Sequence, residues 1–420
     1  MQTAAVILVV GLLIFLSHLF SALFDKVRIP DVLPLIILGL FIGPIFHLVS
    51  PSDFGEIGSV FTTLALVIIL FEGGLDLNVN QLKEAFIPAI KLALTTFAIT
   101  FSFLFIIACE FLKLPYLQAA LLGLAISATS PPIVIPMLAK LNLKENIKTT
   151  LILESTFCEV FSIILTLAVL NASLHHSEGV TTVFGSIIAS FTLAMCIGVL
   201  AAIVWSNVLK IIRKVENNIF CTPAFVCIVY GISELFGYSG PVATLAFGIS
   251  LGNIRKIITY LPQNLMPSEH STLTDREISF FAAIVFLVKT FFFIYLGLTI
   301  HFDNPHIILV ATIITAWVYL SRLIVVKLMM PASLGATPTD NTMMSIMIPK
   351  GLATAVLANL ILQSNIAMAQ YIKEIAYGVI LFSISITAIM AFCLEKGLLD
   401  GFSNYFFTKF QKSIITEDEN

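Results

Sequence analysis

Glu154, Ser155, Cys158 and Glu159 stand in one apolar stretch, residues 147–171, long enough to cross a bilayer. A charged side chain in such a stretch costs about 2.5–3.5 kcal/mol on insertion scales, so two carboxylates there imply a use. Just upstream, an apolar helical run from Leu121 to Ala128 breaks at Thr129-Ser130-Pro131-Pro132. Neither proline can donate a backbone N–H, and the first pushes the residue before it out of helical geometry. Freed carbonyls and the hydroxyls of Thr129 and Ser130 then supply neutral oxygens, and a carboxylate supplies charge. A broken helix beside a helix with buried carboxylates is the pattern of a cation site in mid-membrane.

Helical spacing divides the polar residues between two faces. Glu154 and Cys158 are four apart, as are Ser155 and Glu159. Glu154 and Glu159 are five apart, point in different directions, and are expected to do different jobs. A second apolar run, 342–363, is interrupted at Pro349-Lys350-Gly351. Lys350 is the natural partner for one carboxylate, and the expectation is a structural ion pair between Glu154 and Lys350. That leaves Glu159, with Ser155, as the charged face that binds a cation, with Thr129, Ser130 and Cys158 adjoining. Glu72, before Gly73-Gly74, is a further candidate for ion or proton binding. Lys289, mid-span in Val288-Lys289-Thr290-Phe291, is expected to pair with a carboxylate or to snorkel. His175-His176 falls in a polar loop and reads as solvated. The sequence has no Walker loop, dinucleotide fingerprint, HExxH motif or hydrolase elbow, which argues against an ATP-driven pump. No nucleophile–base pair stands at helical spacing, so no enzyme activity and no cofactor are expected.

Only 11% of the residues are charged and 58% are hydrophobic, with a mean hydropathy of +1.02. A soluble domain carries about 25% charged residues. The chain is therefore read as an all-α polytopic membrane protein. Taking about 20 apolar residues per crossing gives about thirteen spans, at 4–24, 32–49, 57–75, 85–109, 115–139, 147–171, 181–209, 219–236, 241–259, 278–300, 306–330, 342–363 and 370–395. No soluble domain is present, and 396–420 reads as a short cytoplasmic tail. The first run has no Lys or Arg before it and no cleavage site, and is expected to be a retained helix. The six cysteines show no CxxC spacing, so neither a disulfide framework nor a metal cluster is expected.

If alternate loops face the cytoplasm, that side receives nearly all basic residues, from Lys26 and Arg28 through Lys140, Lys144, Lys148, Arg213 and Arg322 to Lys412. The other side receives only Lys113 and Lys373. This asymmetry places the N-terminus outside and the C-terminus in the cytoplasm of a cell membrane. An internal repeat accompanies it. Leu38-Gly39-Leu40-Phe41-Ile42-Gly43-Pro44 resembles Phe247-Gly248-Ile249-Ser250-Leu251-Gly252-Asn253, and Phe71-Glu72-Gly73-Gly74-Leu75 resembles Ile294-Tyr295-Leu296-Gly297-Leu298. Pro131-Pro132 answers Pro349-Lys350-Gly351. Each pair is seven spans apart, an odd number, so the halves have opposite orientation. Two inverted repeats of six helices with a linking seventh, and two interrupted helices crossing at mid-membrane, are expected.

These motifs resemble the monovalent cation:proton antiporter superfamily, and most closely its NhaP-like branch, which includes the eukaryotic sodium/proton exchangers. The resemblance covers nearly the whole chain. It rests on Arg28-Ile29-Pro30 with Leu38 to Pro44, on Phe71 to Leu75, on Phe291-Phe292-Phe293-Ile294-Tyr295-Leu296-Gly297, and on Pro349-Lys350-Gly351. Where such antiporters usually have Thr-Asp-Pro in the broken helix, this chain has Thr129-Ser130-Pro131. Where they have Glu-Ser, two residues, then Asn-Asp, it has Glu154-Ser155-Thr156-Phe157-Cys158-Glu159. Glu159 thus matches the family's essential Asp, Ser130 its broken-helix Asp and Cys158 its Asn. The resemblance implies exchange of Na+, or of Li+ or K+, for protons, with another solute carrier or a channel on the same scaffold as alternatives. It implies a homodimer in membrane lipid, with no nucleic-acid partner. It implies a scaffold from 1–84 and 180–300, and a mobile core from 85–171 and 306–395. With a single free carboxylate in the site, exchange is expected to be electroneutral.

Overall fold

The computed structural model describes residues 32–75, 79–141, 143–174, 180–214, 218–258, 273–300, 304–329 and 336–407, with Gly11 and Phe15. The expected span 4–24 lies almost wholly outside them, as do His175-His176 and residues 408–420. All secondary structure among the described residues is helical. In chain order the main helices are α1 (Val32–Leu40), α2 (Gly55–Leu75), α3 (Val79–Glu110), α4 (Tyr116–Ser127), α5 (Pro131–Lys140), α6 (Glu145–Leu174) and α7 (Val180–Ile212). They continue with α8 (Cys221–Leu235), α9 (Gly240–Gly252), α10 (Asp275–Thr299), α11 (Pro305–Met329), α12 (Pro338–Ile346), α13 (Leu352–Gln363) and α14 (Ala369–Glu395). Among the described residues, seven segments are long and apolar enough to cross a bilayer, and five shorter apolar helices accompany them. The chain is a multi-pass integral membrane protein.

Both expected interruptions are present, with boundaries set by backbone chemistry. The first break is Ala128 to Ser130, and the prolines lie after it, in the first turn of α5. A helix has no use for the N–H groups of its first turn, so proline opens it at no cost in hydrogen bonds. The second break runs from Met347 to Gly351 between α12 and α13. Thr337 and Asp340 form a capping box at the start of α12, their side chains and backbone N–H groups bonding reciprocally.

Contacts group the chain into two compact units. The first comprises residues 1–55, 83–166 and 293–420, and so holds both breaks. Within it α14 packs against α11, α13 and α1, and α13 packs against α4. Residues 32–55 therefore group with the break-carrying helices, although the sequence reading joins them to 56–84. The reason is a backbone-to-backbone contact. A Cβ on Gly39 would overlap Ile294 O and come within 2.9 Å of Gly297 Cα, and one on Gly297 would overlap Ile36 O.

The second unit comprises residues 56–82 and 167–292. Its densest packing is α7 on α9, where a Cβ on Gly198 would come within 2.7 Å of Ala246 Cβ. Gly248 of α9 meets α2 in the same way: an added Cβ would overlap Phe71 O and lie 3.2 Å from Gly74 Cα. Phe71 packs its ring on Phe247 and Phe281, with centroids 4.8 and 5.0 Å away. Arg213 pairs with Glu277 at 2.8 Å, and Glu277 also accepts from the backbone and hydroxyl of Thr274. The glycine pairs Gly39–Gly297 and Gly248–Gly74 occupy matching positions of the two repeats. The same close approach recurs between corresponding helices, one pair in each unit.

Candidate ion-binding site

The two breaks meet in the first unit. Ser130 N–H donates to Pro349 O at 2.9 Å, so a backbone group freed by one break satisfies a group freed by the other. Gly351 permits the approach: a Cβ there would crowd Ser130 Oγ, and would stand 2.8 Å from Ser130 Cβ and 2.7 Å from Ile133 Cδ1. Ser127 at the end of α4 turns its hydroxyl back onto Gly123 O at 2.7 Å. Thr129 and Ser130 are buried, and the Ser130 hydroxyl has no hydrogen-bond partner among the described residues.

α6 runs alongside with its polar residues buried. Ser162 donates to Leu124 O at 2.6 Å and ties α6 to α4 near the first break. Cys158 directs its thiol at Ala93 O, 3.6 Å away on α3, and faces Thr129. Ser155 bonds to Ile152 O of its own helix at 2.9 Å.

The Glu154 carboxylate is held by Arg322, not by Lys350 as the sequence reading expects. Both carboxylate oxygens accept from the guanidinium, Oε1 from one terminal nitrogen and Oε2 from the other, each at 2.6 Å. The rest of the fork is also occupied. Arg322 donates to Thr96 Oγ1 at 2.6 Å and, through Nε, to Met344 O at 3.0 Å. Met344 lies in the last turn of α12, where the helix cannot supply its own donors. A planar fork can serve α6, α3 and α12 at once; an ammonium on a flexible stem cannot do so with the same geometry. Lys350 remains in electrostatic range of Cys158, Glu154 and Arg322, but its ammonium has no hydrogen-bond partner among the described residues.

Glu159 contrasts with Glu154. It is 0% exposed, and neither of its oxygens accepts a hydrogen bond among the described residues. A buried carboxylate without a donor is costly as a bare anion, and binding a proton or a cation relieves that cost. Thr354 on α13 adds another buried hydroxyl without a hydrogen-bond partner among the described residues. Glu72 and Lys289 belong to the second unit. Glu72 is partly buried and lines a small cavity with Leu75, Leu251 and Phe281, while Lys289 is buried.

Arg322 is a residue at the site that the sequence reading misses, because that reading places it on the cytoplasmic side. A signal was present. Arg322 stands seven residues before the end of α11, roughly 10 Å along the axis, within an apolar helix. That is deep for a side chain supposed to reach water, and a buried arginine calls for a carboxylate.

The family model described as sodium/hydrogen exchanger, transmembrane matches residues 11–394. Na+/H+ antiporter 1 of Methanocaldococcus jannaschii is 27% identical over 258 residues, covering 58% of this chain and 59% of that protein. K+/H+ antiporter NhaP2 of Shewanella baltica is 27% identical over 251 residues, covering 59% of this chain and 43% of that protein. These alignments thus span less than two thirds of either relative. The fold matches the sodium proton antiporter MjNhaP1 of Methanocaldococcus jannaschii at pH 8, with a TM-score of 0.72 and 22% identity. That match covers 97% of this chain and 99% of the other. With the family model spanning most of the sequence and the two crossed breaks beside buried carboxylates, the chain belongs to the sodium/hydrogen exchanger family.

Proposed function

We propose that this protein exchanges a monovalent cation for protons across a cell membrane by alternating access, with Glu159 as the group both ions compete for. The observation that supports this most directly is the Glu159 carboxylate, fully buried and without a hydrogen-bond donor among the described residues. It takes a proton or a monovalent cation, and either neutralises it. Ser155, Thr129, Ser130 and Cys158 surround the cation in this reading, with oxygens from the first break completing its shell. Glu154 is occupied by Arg322 and serves structure. The helices that bear the two breaks form the mobile core, and only its neutralised forms cross. Each proton released to one side is then matched by one cation released to the other.

Na+ is the first candidate, and Li+ and K+ are the alternatives. K+ has specific support, because similar proteins include K+/H+ antiporters as well as Na+/H+ antiporters. The protein acts as a homodimer in lipid, with its N-terminus outside and its C-terminus in the cytoplasm. Proteoliposomes carrying an internal pH dye test the reading, with Na+, Li+ and K+ added in turn. Addition of at least one cation should move protons, and Glu159→Gln should insert and fold but give no cation-dependent pH change. Undiminished exchange by that variant would remove Glu159 from the mechanism. Single-channel currents in place of saturable exchange would mark a channel.

A further inference from the structure

The second break leaves backbone groups that α12 and α13 cannot satisfy themselves, and α11 and α14 supply what is missing. Thr387 of α14 directs its hydroxyl at Ile346 O, the last carbonyl of α12, at 3.3 Å. Ser383, one turn earlier, accepts Lys350 N–H at 3.0 Å and passes its own proton to Ile380 O at 3.0 Å. Tyr319 of α11 binds the two together: its hydroxyl donates to Ser383 O at 2.7 Å and lies 2.5 Å from Thr387 Oγ1. Ser383 and Thr387 are fully buried. One turn along α11 from Tyr319, Arg322 holds Met344 O. The non-helical segment 347–351 is thus fixed at its α12 end and again at Lys350.

The protons around Thr387 are fewer than the contacts. Tyr319 and Thr387 have one hydroxyl proton each, and the acceptors are Ser383 O, Ile346 O and whichever of the two hydroxyls receives the other. When Tyr319 donates to Ser383 O, Thr387 donates to Tyr319 and Ile346 O keeps only its bond from Ile348 N–H, 2.8 Å long. When Tyr319 donates to Thr387, Thr387 donates to Ile346 O. The cluster therefore adds a bond to the carbonyl at the break in one arrangement and leaves it to Ile348 N–H alone in the other, with only hydroxyl protons moving.

We propose that Tyr319, Ser383 and Thr387 are positioning residues of the cation site, which set the geometry of segment 347–351 where Pro349 meets Ser130. This rests on the exchange reading above. None of the three touches the cation in it. They act through Pro349 O, whose bond to Ser130 N–H fixes the first break against the second. Spacing among ligand oxygens decides between cations of different radius, and a site must be held to within about 0.5 Å to keep a preference. Loosening one anchor of the segment alters that spacing, so cation preference is the property these residues control.

The test uses the full chain, wild type and with Tyr319→Phe, Thr387→Val or Thr387→Ser, in proteoliposomes and in detergent. Half-saturating concentrations of Na+, Li+ and K+ are measured from initial exchange rates, and independently from the cation-dependent rise in melting temperature. Tyr319→Phe and Thr387→Val should change the ratio of half-saturating concentrations between two of the cations by roughly threefold or more, while Thr387→Ser, which keeps the hydroxyl, retains the wild-type ratio. A purely structural role would lower melting temperature and signal amplitude equally for all three cations and leave the ratio alone. Unchanged ratios in both Tyr319→Phe and Thr387→Val would overturn the assignment. Wild-type protein that exchanges none of the cations would defeat the exchange reading, and the melting ratios would then decide this one.

Discussion

Arg322 donates to both oxygens of Glu154 at 2.6 Å, across 168 residues of sequence. Its remaining donors close on Thr96 and Met344, so one side chain joins α3, α6, α11 and the α12 end of the second break. The pair is neutral and fully occupied, and it leaves the buried Lys350 amine without a hydrogen-bond partner among the described residues.

Removing one member of this pair leaves the other buried and uncompensated, at a cost of about 3–5 kcal/mol. Arg322→Ala should therefore lower the melting temperature in detergent more than Lys350→Ala does. Arg322→Met combined with Glu154→Leu should recover part of the loss seen in either single variant. Strict additivity would show that the two residues do not depend on each other. A larger effect for Lys350→Ala would restore the Glu154–Lys350 pairing expected from sequence.

Much of this architecture is legible in the sequence, because the membrane narrows the choices. Apolar run length marks the helices, and Pro131 and Pro349 mark the breaks. The buried carboxylates of α6 stand out for their cost alone. The meeting of the two breaks follows from the repeat, although only the structure shows that it is made through Ser130 N–H and Pro349 O. The partner of Glu154 is misassigned from sequence, since Lys350 stands in the second break while Arg322 is placed at the cytoplasmic side, and its depth in α11 is the signal passed over. Proximity along the repeat favours Lys350, while geometry favours the residue whose fork reaches three helices. The positioning roles of Tyr319 and Ser383 were also hidden, because a hydroxyl in an apolar helix most often bonds back to its own turn.

The close glycines give a second expectation. Gly351→Ala places a methyl against Ser130 and Ile133, with the nearest carbons 2.7–2.8 Å away. Overpacking of this kind costs about 1–3 kcal/mol, and here it pries apart the two breaks. Exchange should fall sharply, and melting temperature should fall with it. Gly231→Ala is the control, since a Cβ there meets nothing within 4 Å, and it should leave both measurements near wild type. Equal behaviour of the two variants would mean the approach at Gly351 has no consequence.

Competition for one carboxylate also has a kinetic signature. With proton and cation presented on the same side, raising the proton concentration tenfold should raise the half-saturating cation concentration by up to about tenfold in the proton-dominated range, with the maximal rate unchanged. Glu159→Asp keeps the charge and shortens the side chain by one methylene, so it should retain exchange with a different half-saturating concentration. Initial rates over a grid of pH and cation concentration measure both. A maximal rate that falls with proton concentration while the half-saturating value stays fixed would point to separate sites for the two ions.

The last expectation concerns membrane potential. Glu154 and Arg322 cancel, so in the proposed cycle the charge of the core is set by Glu159 and Lys350. Glu159 carries either a proton or a cation when the core crosses, and those two loaded forms have the same net charge. If Lys350 keeps a constant protonation state through the cycle, exchange is one for one and potential does no work on it. Potential is otherwise a strong lever, about 2.3 kcal/mol per charge per 100 mV. With Na+ established as the substrate and K+ as not transported, proteoliposomes with a K+ gradient and valinomycin impose a potential of either sign while Na+ drives proton movement. The initial rate should be the same at both signs. A several-fold acceleration by one sign would mean a second proton moves with each cation. Lys350→Met would then be the informative variant. It cannot carry a proton, so it should abolish the dependence on potential if Lys350 is the carrier and preserve it if another group is.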